Sequence, residues 1–335
     1  MATLRQDPTT KEWIILAPRR AERPSVHPPL PRDPLPDQDA SCPFCPGNEH
    51  MTPPEISRIA VDGSWDQRVV PNLFAALEPG GTLERRDAAG LFGEMGGVGS
   101  HEVIVESPLH GERMDEMPLE RIARVIRMWR DRYAALKADP ATKGVIVFKN
   151  FGERAGTSLV HPHSQIVATP VFPPDSLRRY AVATRYYDDT GHCVYDDLRD
   201  AELRHGQRLI SQVDGFAALA PFAARVPFET WIMPLRHQTS FGQLDEDLVL
   251  PLAQILSGVL GALRRVAGDP DFNVVVLSAP SHEEWKPFFL WHLRILPRLA
   301  TAAGFELGSG MFINTVSPES SAELLREAMA ETRAD

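Results

Sequence analysis

Two stretches of this chain follow one pattern. Segment 102–110 reads as a strand and turn running from Glu102 to His110, and segment 229–237 runs the same way from Glu229 to His237, with Glu and His eight positions apart in both. Each is followed by an amphipathic helix. Leu119, Ile122, Ile126, Trp129, Tyr133 and Leu136 fall on one helical face, and so do Leu248, Leu252, Ile255, Val259, Leu263 and Val266. An Asp-Pro pair then breaks each helix, Asp139-Pro140 and Asp269-Pro270, ahead of an apolar strand at 145–148 or 274–277. A further strand carries His161 in one copy and His292 in the other. Hydrophobic patterns agree easily by chance. The shared Glu-to-His spacing, Asp-Pro break and closing histidine together make duplication the better reading. Each copy predicts an antiparallel sheet with one long helix packed on it, an α+β fold. The prolines Pro170, Pro173 and Pro174 place the boundary between copies, giving units at 1–175 and 176–335.

The copies differ where chemistry is expected. The first has His161-Pro162-His163-Ser164-Gln165, flanked by residues 158–160 and 166–168 that read as strand. Alternate strand residues share a face, so His161, His163 and Gln165 are expected to point the same way. At the corresponding place the second copy reads His292-Leu293-Arg294, so only the first keeps two histidines.

Composition narrows the function classes. The formal net charge is −10, which argues against a nucleic-acid surface but leaves room for a phosphate ligand held by a few arginines. Hydrophobic residues make up 43% of the chain and no apolar run looks like a membrane span, so no membrane partner is expected. The first residues lack a signal-peptide pattern, and a cytoplasmic location is the default expectation. Residues 18–54 are proline-rich and read as irregular chain.

Only three cysteines occur, too few for a disulfide framework. Cys42 and Cys45 form a Cys-x-x-Cys pair, able to chelate zinc as two thiolates or to cycle as a redox disulfide. A redox pair belongs at a helix start, whereas this one lies in a proline-rich loop, which favours metal. Cys193 is isolated in sequence, so a closed four-ligand site must recruit histidines. His110 and His161 are the leading candidates and His101 the alternative.

The Cys-x-x-Cys pair, residues 107–110, Asn150, residues 156–158 and the His161-Pro162-His163-x-Gln165 run resemble the galactose-1-phosphate uridylyltransferase family. That family belongs to the histidine-triad superfamily and has two fused histidine-triad folds. The resemblance extends over residues 13–20 and 227–230, and so over nearly the whole chain. It implies His163 as the nucleophile that takes the nucleotidyl group, with Gln165 and Ser158 bonding phosphoryl oxygens. It implies Cys42, Cys45, His110 and His161 as zinc ligands, and Arg20, Arg23, Asn72 and Asn150 at the nucleotide site. Gly304, Phe305 and Glu306 match the sugar-phosphate loop. An NDP-sugar and a sugar 1-phosphate are the implied substrates, and a homodimer the implied assembly. The chemistry is coherent: a neutral imidazole is a good nucleophile near neutral pH, and phosphoryl transfer needs donors for spreading charge. If His161 is tied to zinc, its lone pair is occupied and His163 is left as the free ring.

Some positions depart from the family pattern. Leu73 follows Asn72 where Asp is usual, and Ala300 stands where a Lys is expected. Arg179 and Arg294 replace two ligands of a second metal site found in some members, so no second metal is expected around His292. Residues 308–314 and Ser164 are closer to a sister branch, the ADP-glucose phosphorylases. An NDP-sugar phosphorylase using the same histidine is therefore the rival enzyme, and a zinc-stabilised, non-catalytic nucleotide-binding module the rival of another class. Intact His163 and Gln165 argue against the latter.

Overall fold

The computed structural model describes residues 1–22, 32 and 34–332. Strands β1 (Thr3–Gln6) and β2 (Trp13–Leu16) come first. The first copy runs through β3 (Ser57–Val61), β4 (Ser64–Pro71), a small hairpin of β5 (Arg86–Ala88) and β6 (Phe92–Glu94), β7 (Ser100–Val105), α1 (Leu119–Lys137), β8 (Gly144–Phe151) and β9 (His163–Thr169). Helices α2 (Pro174–Thr190) and α3 (Val194–His205) lead into β10 (Leu209–Val213), β11 (Phe216–Leu219), β12 (Thr230–Pro234), α4 (Val249–Ala267), β13 (Phe272–Leu277) and β14 (His292–Pro297). A short α5 (Gly304–Ser309), β15 (Ile313–Asn314) and α6 (Pro318–Thr332) close the described chain.

Among the described residues ten strands form one antiparallel sheet in the order β10-β11-β12-β14-β13-β8-β9-β7-β4-β3, five from each side of α2 and α3. Read from the centre outward, the two sides have matching order, with β8 and β13 paired at the join. There Asn150 faces Asn273 and Phe151 faces Phe272, the two phenyl rings stacking at 4.9 Å. The expected order of strand, helix, strand, strand is observed on both sides, as β7-α1-β8-β9 and β12-α4-β13-β14.

Helices α1, α4 and α6 cover one sheet face. Ile122, Ile126 and Trp129 of α1 and Leu252, Ile255, Leu256 and Val259 of α4 pack there on Ile104, Val147, Ile166, Val274 and Leu293, the alternate residues of the strands. Gly268, with φ +67°, takes the left-handed turn that stops α4 before Pro270. Glu246–Ala267 is long and apolar enough to cross a membrane, contrary to the sequence expectation. Its packing between sheet, α1 and α6 accounts for that apolarity without a membrane. The opposite face is covered on the second side by α2 and α3, which bury Ala183, Val194 and Tyr195 against Leu219, Trp231 and Leu277. On the first side that face carries the Cys42–Cys45 loop.

The N-terminal strands join the far end of the chain: β2 pairs with β1 and, in parallel, with β15. Arg5 Nη1 holds Glu319 of α6 at 2.9 Å. Residues 158–162 are not strand, as their sequence suggested; β9 begins at His163, and Val160 points to solvent.

Leu256 is fully buried in α4. Leu256→Ala should lower stability by about 2–5 kcal/mol through lost apolar contact and a residual cavity. Urea denaturation would show a lower midpoint at unchanged slope; an unaltered midpoint would remove α4 from the core.

Candidate active site and metal centre

The Cys42–Cys45 loop folds as a knuckle. Cys45 N–H donates to Cys42 O at 3.2 Å, and Asn48 Nδ2 gathers the Asp39, Ala40 and Cys42 carbonyls at 3.3, 3.1 and 2.8 Å. Asp39 N–H donates to Cys45 Sγ at 3.3 Å. His110 is tied to the same loop through its N–H to Asp37 O at 2.8 Å. Cys42, Cys45, His110 and His161 are all buried, and one donor atom from each lies within 4.8 Å of the others. Cys45 Sγ is 3.4 Å from His110 Nδ1 and 3.6 Å from His161 Nδ1. Tetrahedral coordination with ordinary zinc–sulfur and zinc–nitrogen bond lengths puts such pairs about 3.5 Å apart. His161 Nε2 is committed to Ser107 O at 2.8 Å, which leaves Nδ1 as its lone pair, facing the sulfur. The four side chains thus lie close enough together that they could hold a metal ion, and the His161 tautomer suits one. His101 takes no part.

His163 opens β9. Its Nδ1 is 2.8 Å from His161 O; a carbonyl only accepts, so Nδ1 carries the proton and Nε2 the free lone pair. Burial pushes this imidazole down to about 4, the Lys149 ammonium adding to the effect and the bond to His161 opposing it, so the ring is neutral near pH 7. Lys149 lies beneath the strand, its Nζ donating to Glu106 Oε2 at 2.5 Å and to His163 O at 3.2 Å. On the helix-covered face, which Lys149 shares, Trp129 Nε1 donates to Ser164 Oγ at 2.6 Å, clamping β9 to α1. Phe44 packs against both rings, 6.0 Å from His161 and 5.5 Å from His163.

His163 lines a cleft of about 610 Å³ together with Lys149, Asn150, Ser158, Arg113 and Arg264. Asn150 Oδ1 accepts from Asn273 Nδ2 at 2.8 Å, leaving its own amide N–H groups for the cleft. Gln165 shares the His163 face of β9, as their opposite residues Val103 and Val105 show. Its Oε1 is 2.8 Å from His101 Nε2 and 3.4 Å from Asn72 Nδ2. Sequence reading missed this use of His101. Arg20 sits exposed on the turn Pro18–Glu22 and does not line the cleft, and Arg23 lies outside the described residues. Gly304, Phe305 and Glu306 do not line it either; Glu306 caps its own helix, accepting from Ala303 N at 3.0 Å.

Residues 1–173 match the family described as galactose-1-phosphate uridyl transferase, N-terminal domain. Over 97% of its length the chain is 35% identical to an ADP-glucose phosphorylase of Arabidopsis thaliana, covering 92% of that protein. It is 29% identical to a galactose-1-phosphate uridylyltransferase of Thermotoga maritima, over 99% of this chain and all of the other. The crystal structure of an Arabidopsis thaliana ADP-glucose phosphorylase with bound ADP-glucose superposes with a TM-score of 0.83, at 32% identity and 98% coverage of each chain.

The chain belongs to the galactose-1-phosphate uridylyltransferase family.

Within that family fold the second copy corrects the alignment made from sequence. His292 opens β14 as His163 opens β9, and its Nδ1 meets the carbonyl two residues back, Leu290 O, at 3.0 Å, as His163 meets His161 O. His292 therefore corresponds to His163, Arg294 to Gln165 and Leu290 to His161. The second copy kept the strand-opening histidine and lost the one facing the metal cluster. Tyr195, Trp231 and Phe289 pack on His292 at 5.2, 4.8 and 6.0 Å, and burial pushes its ring down to about 3. Cys193 is not alone in space: its sulfur lies beside Asp196 and His237, and Asp196 is already paired with Arg199 at 2.8 Å and His237 at 2.5 Å.

Glu106 and Lys149 are both buried, and Glu106 Oε1 has no partner among the described residues. Lys149→Ala should therefore cost about 3–5 kcal/mol by leaving a buried carboxylate unpaired. A Lys149→Met, Glu106→Leu double variant should recover most of that loss in thermal unfolding. A double variant less stable than Lys149→Ala would show that the pair itself holds β9.

Proposed function

We propose that this chain transfers a nucleoside monophosphate between an NDP-sugar and a sugar 1-phosphate by double displacement through His163. The observation that carries the reading is the His163 ring: fixed by the His161 carbonyl, which leaves Nε2 with the lone pair, on a residue that lines a cleft of a size suited to a small ligand. In the first step the Nε2 lone pair attacks the α-phosphorus of the NDP-sugar. The N–P bond forms as the bond from that phosphorus to the bridging oxygen breaks, and sugar 1-phosphate departs with the electron pair. In the second, a phosphate oxygen of the acceptor attacks the same phosphorus and the N–P bond returns its electrons to Nε2. Gln165 and Ser158 act as donors to the phosphoryl oxygens, where charge spreads in the transition state. Asn150 and Asn72, with Arg20 and Arg23, are assigned to the nucleotide, and Gly304, Phe305 and Glu306 to the sugar phosphate. Units at 1–175 and 176–335, a homodimer and a cytoplasmic location belong to the same proposal and rest on the family relation.

Zinc is the metal we assign to Cys42, Cys45, His110 and His161. Two thiolates and two imidazoles in a closed, buried set suit zinc in a structural role, and the ion would fix the His161 ring. Elemental analysis of purified protein should give about one zinc per chain. Full metal retention in a Cys42→Ser, Cys45→Ser double variant would remove the assignment.

The leading substrate reading is UDP-glucose with a hexose 1-phosphate as acceptor. A second reading, ADP-glucose with inorganic phosphate as acceptor, is favoured by the 35% identity to the Arabidopsis phosphorylase and by Leu73 and Ala300. Ser164 does not discriminate, because it points away from the cleft to Trp129. Turnover of UDP-glucose with galactose 1-phosphate, measured beside ADP-glucose with phosphate, separates the two. Mass spectrometry of enzyme mixed with NDP-sugar alone should find a nucleoside monophosphate on His163, and His163→Asn should abolish adduct and turnover while keeping zinc. An active enzyme that forms no adduct would overturn the mechanism.

A further inference from the structure

An amide side chain presents a donor or an acceptor depending on a half-turn of its last bond, so a glutamine that must donate to a phosphoryl group needs its oxygen held. Two relays of two contacts each settle this for Gln165, and each relay begins at a main-chain N–H of the segment after β4. Phe74 N–H donates to Asn72 Oδ1 at 2.9 Å. That fixes the Asn72 amide, whose Nδ2 then faces Gln165 Oε1 at 3.4 Å. Ala76 N–H donates to His101 Nδ1 at 3.1 Å. An N–H group only donates, so Nδ1 holds the lone pair and the ring proton is on Nε2. That Nε2–H faces Gln165 Oε1 at 2.8 Å. Asn72 Nδ2 and His101 Nε2 also lie 3.1 Å apart, but both are donors, so they share the oxygen between them and do not bond each other.

We propose that His101, with Asn72, is a positioning residue for Gln165: it holds the glutamine oxygen inward so that the amide N–H groups face the phosphoryl group on His163. The proposal rests on the reading that Gln165 bonds that phosphoryl group. Among the described residues the hydrogen bonds of the Gln165 side chain are both to Oε1, and Gln165 and His163 share one face of β9. At the corresponding place in the second copy stands Arg294, whose guanidinium has only donors and needs no such control. A flipped Gln165 would turn its oxygen lone pairs toward a group that is already negative.

Single-turnover formation of the His163 adduct from NDP-sugar tests this in four proteins: the parent, His101→Phe, Gln165→Ala and the double variant. Removing one such donor slows catalysis by about 10²–10³-fold, so Gln165→Ala should fall in that range and His101→Phe should slow the step by at least about tenfold. NDP-sugar affinity should stay near the parent value, and the double variant should be no slower than Gln165→Ala. A second readout needs no variant: in ¹⁵N-histidine-labelled protein the His101 ring should show the Nε2–H tautomer. A slow Gln165→Ala with His101→Phe at the parent rate, multiplicative losses in the double variant, or an Nδ1–H tautomer would each overturn the positioning role while leaving Gln165 as a phosphoryl donor. Gln165→Ala at the parent rate would overturn both. Should His101→Phe fail to fold, His101→Gln takes its place in the cycle, with a partial return of rate expected.

Discussion

Everything proposed for the site hangs on the main-chain carbonyl of His161. The His161 ring faces the Cys42–Cys45 knuckle while its carbonyl, on the same residue, takes the Nδ1 proton of His163 at 2.8 Å. Metal-facing and cleft-facing chemistry are therefore separated by one proline. Pro162 restricts His161 to extended backbone, and this suits a residue whose side chain and carbonyl serve different neighbours. The Ser107 carbonyl selects the His161 tautomer and the His161 carbonyl selects that of His163, so the free nitrogen of each ring is decided by backbone oxygen and not by another titrating side chain. Lys149 adds a second main-chain constraint by holding the His163 carbonyl from below. Burial keeps the His163 ring uncharged, so the lone pair is available without a general base.

Hydrophobic periodicity made the large elements legible. The stripe from Leu119 to Leu136 predicts α1 to within a residue, and that from Leu248 to Val266 does the same for α4. Helices α2 and α3 were not read, because their buried positions include Arg179, Arg199 and Glu202 and so carry little apolar pattern. The Cys42, Cys45, His110 and His161 cluster was legible because zinc-type donors are rare and their chemistry is narrow. The start of β9 was misread: Leu159 and Val160 look like strand residues, yet Val160 is exposed and the chain there lines the cleft. His101 was invisible as a positioning group, since its role depends on residues 72, 76 and 165 meeting in space and on which ring nitrogen an N–H selects.

The two-residue error in aligning the copies has a physical source. Both copies carry a histidine near the start of the last strand, and sequence spacing alone does not say which face or which end of the strand it occupies. The Nδ1-to-carbonyl bond two residues back is the decisive marker, because it depends on the strand-opening position. Once aligned, the asymmetry becomes specific. Leu290 stands in place of His161, so a metal ligand is missing, and Asp196 is neutralised by Arg199 and His237 instead. Tyr195, Trp231 and Phe289 fill the space that is a cleft on the first side, so the His292 ring has no access to a ligand.

The second copy nonetheless works at the first copy's site. The sheet is continuous across β8 and β13, and Asn273 on β13 sets the orientation of Asn150 on β8. The same Asn273 amide also reaches Ala155 O at 2.9 Å, bracing the turn that leads to Ser158. Arg113, on the connection between β7 and α1, meets Asp269 at the end of α4 at 2.6 Å, so the cleft wall is closed by an ion pair across the join. On the second side α2 and α3 pack over the corresponding face, burying Ala183, Val194 and Tyr195 against the sheet. The duplicated fold thus holds one open site at the junction, with the closed copy orienting Asn150 and fixing the cleft's edge.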